Sequence, residues 1–193
     1  LQFFTSVAIW FLFFVAIERL GETELAVSNI VRSVSALFSV IVNALAGVTG
    51  SLVSNLIGAG EKKKVFPLCH KIIRLGYATG IPLIAFALFF HQHIIGAYTE
   101  NTAIVQLAWP PFLVMLLNYF FALPSYVYLT ATTGTGATRT VFIFQVTTTI
   151  AYLFCLWGLD FCDVPLAAYW AVEYLYVMLL GTQSVIYLKY KQY

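Results

Sequence analysis

Ser33 to Gly60, SVSALFSVIVNALAGVTGSLVSNLIGAG, runs for 28 residues without a charged side chain. Crossing the hydrocarbon core of a bilayer as a helix takes roughly 20 apolar residues, with a range near 17–25. Charge then returns at once, in Glu61-Lys62-Lys63-Lys64. A run that apolar, closed by a cluster that charged, reads as a membrane span with its end marked. The rest of the chain repeats the pattern. Further charge-free runs occupy 1–17, 75–99, 101–138 and 140–159, and a last one, 164–188, is broken only by Glu173. The expected fold is all-α and integral to the membrane, a single six-helix transmembrane bundle over residues 1–193. In the long run 101–138, Pro110-Pro111 are expected to mark the helix entry, Pro124 a kink, and Thr130–Thr138 the exit. A closed barrel is the other way to span a bilayer, but barrel strands alternate with period two and these runs are continuous.

Composition points the same way. Charged residues make up 9% of the 193-residue chain, against about 25% in ordinary soluble domains. The apolar share is 61% and the mean hydropathy +0.89. Ten basic and eight acidic side chains are too few to clothe a water-soluble globule. The same scarcity excludes disorder, which needs high charge and low hydrophobicity. A net charge of +2 supplies no basic field for nucleic acid, so none is expected as a partner. The partners expected are the lipid bilayer and whatever small molecule the bundle handles. Cys69, Cys155 and Cys162 contain no C-x-x-C pair and are expected as free thiols packed like small apolar groups. The chain opens on Leu1 directly into an apolar run, and is read as beginning partway through a longer protein.

Orientation follows from Lys and Arg, which favour the cytoplasmic side. With six crossings, the joints after the second and fourth helices share a side with the C-terminus. That side carries Lys62, Lys63, Lys64, Lys71, Arg74, Arg139, Lys189 and Lys191, eight of the ten basic residues. Arg19 and Arg32 lie on the other, with Glu18, Glu22, Glu24, Glu100, Asp160 and Asp163. The Glu61–Lys64 joint, Arg139 and the C-terminus are therefore expected to be cytoplasmic. Tyr187, Tyr190 and Tyr193 beside Lys189 and Lys191 form a basic-aromatic belt on that side. Trp157 and Trp170 are expected to form the outer one. The joints are short, so any chemistry lies within the bundle.

Glu173 stands inside a span, 8 residues past Pro165 and so about 12 Å along a helix at 1.5 Å per residue. An ionised carboxylate at depth costs about 2.5–3.5 kcal/mol on insertion scales and usually faces a cavity or a partner. It is a candidate proton or cation site. The alternatives are a carboxylate reaching the wet outer rim, or one hydrogen-bonded to a neighbouring Tyr. Neutral polar residues recur at depth: Gln2, Thr5, Asn43, Asn55, Asn118, Gln145, Thr147–Thr149 and Gln183. Most read as glue between helices, worth about 0.6–2 kcal/mol each. Asn118 and Tyr119 differ, because Pro124 follows within two turns. A proline frees backbone carbonyls, which a membrane helix tolerates only in a packed or wet interior. These two are candidate cavity lining, with Asn43 and Gln145. Trp10, Phe13, Phe14 and Tyr119 could form an aromatic wall for a flat organic cation through cation–π attraction.

Other patterns carry no chemistry. His91-Gln92-His93 has no third ligand nearby, so no metal is expected. Gly134-Thr135-Gly136 lacks the Lys and preceding strand of a phosphate loop. Gly47–Gly50 and Gly58-Ala59-Gly60 read as small-residue helix packing and a helix stop. No Ser-His-Asp or H-E-x-x-H arrangement exists, and the chain is not expected to be an enzyme.

Four stretches together resemble a known family. GETELAVSN at 21–29 leads into a helix that ends SNLIGAG at 54–60 before a charged turn. GTGATR at 134–139 and AYWA at 168–171 follow in order. This set is similar to landmarks of the multidrug and toxic compound extrusion (MATE) family. The resemblance implies one half of a twelve-helix, two-bundle transporter, the C-terminal lobe, with the N-terminal six-helix half as missing partner. It implies an antiporter in a bacterial inner membrane, exporting amphipathic, often cationic, organic compounds for Na⁺ or H⁺ by alternating access, with no other cofactor. Several branches of the family place acids in the first and fourth helices of this half, at positions that fall near Thr5 and Ala122 here. Neither is acidic, so coupling would use Glu173 or an acid of the absent half, the latter favoured. Related two-bundle flippases of lipid-linked saccharides are one rival reading, and a non-transporting membrane scaffold is another. The flippases should line their cavity with several Arg or Lys, which the charge-free runs lack.

Overall fold

The computed structural model describes the backbone of residues 2–159, 161–162, 164–191 and 193, and their side chains from residue 9 onward. Asp160 and Asp163, and the side chains of Gln2 and Thr5, lie outside the described residues. The described chain is helical throughout: α1 (Gln2–Glu18), α2 (Glu22–Gly58), a 3-10 turn (Lys62–Lys64), α3 (Val65–Phe89), α4 (His91–Gly96), α5 (Thr102–Gly134), α6 (Thr138–Leu159) and α7 (Leu166–Tyr190).

By length and composition, five helices are apolar enough to cross a membrane: α2, α3 with its leading turn, α5, α6 and α7. With 17 residues, α1 sits at the short end of the spanning range of about 17–25 residues. The helices overrun the charge-free stretches. Arg32 falls inside α2, and Lys71 and Arg74 inside α3, because long basic side chains can lay their stems along apolar surface and keep the charge at the wet end. The run 75–99 is divided: α3 stops at Phe89 and its remainder makes the short α4.

Local signals set the ends. At the start of α2, Glu22 and Glu24 occupy the first turn, where acids complement the positive end of the helix dipole. Its stop is at Gly60, with φ 76°. Glu61 N–H donates to Leu56 O at 2.9 Å and Gly60 N–H to Ile57 O at 3.0 Å, the paired bonds of a left-handed helix cap that glycine adopts without a Cβ penalty. At the start of α5, Asn101 Oδ1 accepts from Ala103 N–H at 3.0 Å, a side-chain cap. Pro110 and Pro111 therefore do not mark the entry; they lie eight and nine residues inside the helix. The cap at Asn101 decides the start, and prolines within a membrane helix are tolerated where neighbours pack around them.

Pro124 shows how such a defect is repaired. Having no N–H, it leaves the carbonyl of Phe120, four residues earlier, without its helical donor. Tyr77 of α3 fills the vacancy, its hydroxyl donating to Phe120 O at 2.7 Å. The neighbouring Tyr119 donates in the opposite sense, to Gly76 O of α3 at 2.8 Å. Its ring lies where a Cβ on Gly80 would be. The two helices are thus joined by a reciprocal pair of tyrosine–carbonyl bonds.

The hub of the bundle is α5, packed against α2, α3 and α7. Toward the Gly58 end, α2 and α5 approach through small residues. Cβ atoms added at Gly50 and Gly134 would come within 3.3 Å of Thr130 O and 2.5 Å of Gly50 O. Ser54 donates to Gly134 O at 2.9 Å. Close backbone approach of this kind is the usual way membrane helices associate. The α2–α3 joint and the C-terminus lie at one end of the bundle, with the Lys62 ammonium 5.6 Å from the Tyr193 ring centroid. Between α6 and α7, Gln183 donates to Thr148 Oγ1 and accepts from Thr147 Oγ1, both at 3.3 Å, so these amides and hydroxyls do act as glue.

Candidate functional site

Higher up the same helices, α1, α2, α5 and α7 border a cavity of about 430 Å³. Each wall follows from helical periodicity. On α5, Met115, Asn118, Tyr119, Ala122 and Tyr126 recur at three- and four-residue steps and share one face. On α2, Ser35, Ser39 and Asn43 supply hydroxyl and amide groups at four-residue steps, with Phe38 and Val42 beside them. Trp170, Glu173 and Tyr176 come from α7, at three-residue steps, and Trp10 from α1.

Five of the seven candidate residues thus meet at one place: Trp10, Asn43, Asn118, Tyr119 and Glu173 all line the cavity. The other two do not reach it. Phe14 stands behind Trp10, its ring centroid 6.2 Å away. Gln145 is on α6, which contributes no side chain to the lining, because α6 packs outside α7 and α1. Phe13 is also behind the wall, fully buried and edge-on to Trp10 and Trp170 at 5.7 and 5.2 Å. The aromatic wall is therefore Trp10, Phe38, Tyr119, Tyr126, Trp170 and Tyr176, with Phe13 and Phe14 backing it.

Trp170 corrects one expectation. It is 3% exposed, and its indole N–H donates to Ser28 Oγ of α2 at 3.3 Å, so it serves the interior and not an outer belt. Trp157, at 61% exposed, has the exposure a belt residue needs. Tyr126, Trp170 and Tyr176 escaped the sequence reading as cavity residues. The signal that places them was present: Tyr126 follows Asn118 by eight, and Trp170 and Tyr176 flank Glu173 by three on either side.

Glu173 is half-buried and does hold a tyrosine. The hydroxyl of Tyr152, wholly buried on α6, donates to Glu173 Oε1 at 2.9 Å. The Tyr152 ring meets Tyr176 edge-on at 5.7 Å. A carboxylate fixed by one phenol keeps its remaining acceptor capacity for a second partner. Asn118 Oδ1 is buried with no hydrogen-bond partner among the described residues, as is Gln145 Oε1, and a buried acceptor left unmatched costs about 1–3 kcal/mol. Among the described residues no Lys or Arg lines the cavity, and no group of three or more His, Cys, Asp or Glu is placed to hold a metal ion. The His91 ring packs against Trp109, tilted by 38° with ring centroids 4.0 Å apart. Ala122, apolar, is a cavity residue.

The site is thus a cavity lined by aromatic rings, amides and hydroxyls inside apolar helices, with one carboxylate among the described residues: an arrangement for holding a molecule within the membrane. Comparison with known proteins agrees in kind. Neither the curated proteins nor the solved structures include a match to this chain. The family model described as MatE matches residues 1–157, a stretch that holds α1 to α5 and nearly all of α6. An all-helical multi-pass bundle around an intramembrane cavity, matched over most of its length in this way, belongs to the MatE family of membrane transporters.

Proposed function

We propose that this chain is the C-terminal six-helix half of a two-bundle antiporter, which exports amphipathic organic cations from a bacterial cell in exchange for H⁺ or Na⁺. The observation that carries the reading is the cavity itself, where Glu173 shares walls with Trp10, Trp170 and Tyr119. A flat cation gains from ring faces, through its attraction to their negative quadrupoles, and from the carboxylate. An ion bound at Glu173 changes that balance and so changes which packing of the two bundles is favoured. A ligand shifts such an equilibrium only by its difference in affinity between the two states. Glu173 is the coupling group contributed by this half, beside any acid of the N-terminal bundle. The protein sits in the inner membrane with the Glu61–Lys64 joint, Arg139 and the C-terminus in the cytoplasm. The lipid-linked saccharide reading finds no support in the cavity, since a diphosphate needs a basic lining.

The test is Glu173→Gln in the full-length protein, which keeps the shape and removes the charge. Efflux of a fluorescent organic cation from cells is expected to slow several-fold at equal protein level. Unchanged efflux removes Glu173 from the mechanism.

A further inference from the structure

On the side of α5 turned away from the cavity lies a second hollow, of about 310 Å³. Phe121, Pro124 and Tyr128 of α5 and Met178, Thr182 and Ile186 of α7 line it, and it shares no lining residue with the first. A close approach of the two helices sets its floor, where a Cβ on Gly181 would strike Ser125 Oγ. Phe121, Met178, Thr182 and Ile186 are exposed, so the hollow is a groove on the outer surface of the bundle. It runs from Phe121 and Met178 to Tyr128 and Ile186, about 11 Å of helix, toward the end where Lys62 meets Tyr193.

The chemistry changes along that length. The deep end is a phenyl ring, a proline and a thioether. At the mouth, the Tyr128 hydroxyl lies 3.4 Å from His70 Nε2 of α3. Phe66 and His70 both meet the Tyr128 ring, at 5.9 and 6.4 Å, and Tyr77 meets Phe120 at 5.8 Å, so α3 forms the bank beside Tyr128. Arg74 stands on that bank, outside the lining itself. It follows His70 by four residues and precedes Tyr77 by three, which puts it on the same helix face. A long basic side chain at this depth lays its stem on apolar surface and carries its charge toward water, here toward the mouth. On the opposite bank Lys189 follows Ile186 by three and continues the lining face of α7 by one turn. Both basic residues are exposed, and among the described residues no carboxylate pairs with either. Glu61 is taken by Lys64 at 2.6 Å, and Glu173 faces the other cavity.

We propose that this groove holds one anionic phospholipid. An acyl chain lies along Phe121, Pro124 and Met178, and the phosphate sits at the mouth, between Arg74 and Lys189 and beside the Tyr128 hydroxyl. Length favours a lipid chain over a partner helix, which would follow the whole hydrocarbon core of about 30 Å and not a groove of about 11 Å. Charge selects the headgroup. The guanidinium fork matches a phosphate bidentately, and basic residues at the membrane surface attract anionic lipid. A zwitterionic headgroup brings its own cation into the same mouth, where two unpaired positive charges repel it. The inference needs only the membrane bundle, and stands or falls independently of the export reading at Glu173.

The purified full-length transporter, in detergent micelles, is titrated with phosphatidylglycerol and with phosphatidylcholine of identical acyl chains, and bound lipid is counted by native mass spectrometry. The wild-type protein is expected to hold its first phosphatidylglycerol about tenfold more tightly than phosphatidylcholine. Arg74→Gln combined with Lys189→Gln is expected to abolish that preference. Lys62→Gln combined with Lys63→Gln removes as much charge away from the groove and is expected to leave it. Thr182→Trp fills the groove and is expected to weaken both lipids. Ile186→Trp, at the exposed margin, takes its place if Thr182→Trp does not fold. Equal binding of the two lipids by the wild type overturns the proposal. So does an equal loss of preference in the two double variants, the mark of a diffuse basic belt. Unchanged lipid affinity in the folded tryptophan variant also overturns it, because the headgroup would then bind without a chain in the groove.

Discussion

Removing the Tyr77 hydroxyl tests whether Pro124 is repaired from outside its own helix. In Tyr77→Phe, the Phe120 carbonyl loses the hydroxyl that donates to it at 2.7 Å, and has no N–H four residues on to fall back on because residue 124 is proline. Hydrogen bonds between membrane helices measure about 0.6 kcal/mol on average and up to about 1.7, because most groups find another partner when one is removed. Here the usual substitute is absent, so the cost belongs at the upper end, about 1.5 kcal/mol. Pro124→Ala supplies the missing backbone N–H. In that background the carbonyl is satisfied within α5, and Tyr77→Phe is expected to cost about 0.5 kcal/mol or less. The coupling between the two sites, about 1 kcal/mol, is measured by a double-mutant cycle on unfolding of the purified full-length protein in mixed micelles. Equal costs for Tyr77→Phe in both backgrounds would refute the repair. The tyrosine would then be an ordinary interhelical contact, and the proline a defect satisfied elsewhere.

Two further substitutions probe the scaffold, beside that given for Glu173. Gly80→Ala puts a methyl group where the Tyr119 ring lies and is expected to destabilise by about 1–3 kcal/mol, the usual cost of overpacking a filled interior. It should also displace a cavity wall, so the thermal midpoint and cation binding fall together. A loss of neither would mean that α3 and α5 separate without cost. Gly60→Ala imposes a side chain on a backbone at φ 76° and is expected to cost about 1 kcal/mol. Because Gly60 is far from the cavity lining, thermal stability should drop with cation affinity unchanged.

The membrane fold was legible because the bilayer demands long apolar runs, and the charges between those runs are few enough to count. What the charge pattern could not mark was where helices begin and end within those limits. Arg32 sits in α2 and Pro110 in α5 because caps and packing set the boundaries, at Gly21, Gly60 and Asn101, and these are one-residue signals. The candidate site was legible in part, for a reason of the same kind. Glu173, Asn118 and Asn43 are anomalous where they stand, so each drew notice alone. Tyr126, Trp170 and Tyr176 are ordinary membrane residues by type, and become cavity residues only once Asn118 and Glu173 fix which helix face looks inward. Gln145 is the converse. It is as polar as Asn118, but α6 turns that face toward other helices, and no property of the residue itself records this.

Length has a further consequence. The 37 residues of α2 rise about 55 Å, and fitting that into a hydrocarbon core of about 30 Å by leaning alone would need a tilt near 60°, beyond the 0–40° found for membrane helices. One end must stand clear of the lipid tails. The stretch from Ser33 to Gly60 is free of charge, while Glu22, Glu24, Asn29 and Arg32 crowd the other end, so the surplus stands there. The first ten residues of α2 form a post about 15 Å tall among the headgroups and the water above them. Arg32, exposed and set over the Phe14 ring at 5.1 Å, lies at its foot, where oil gives way to water.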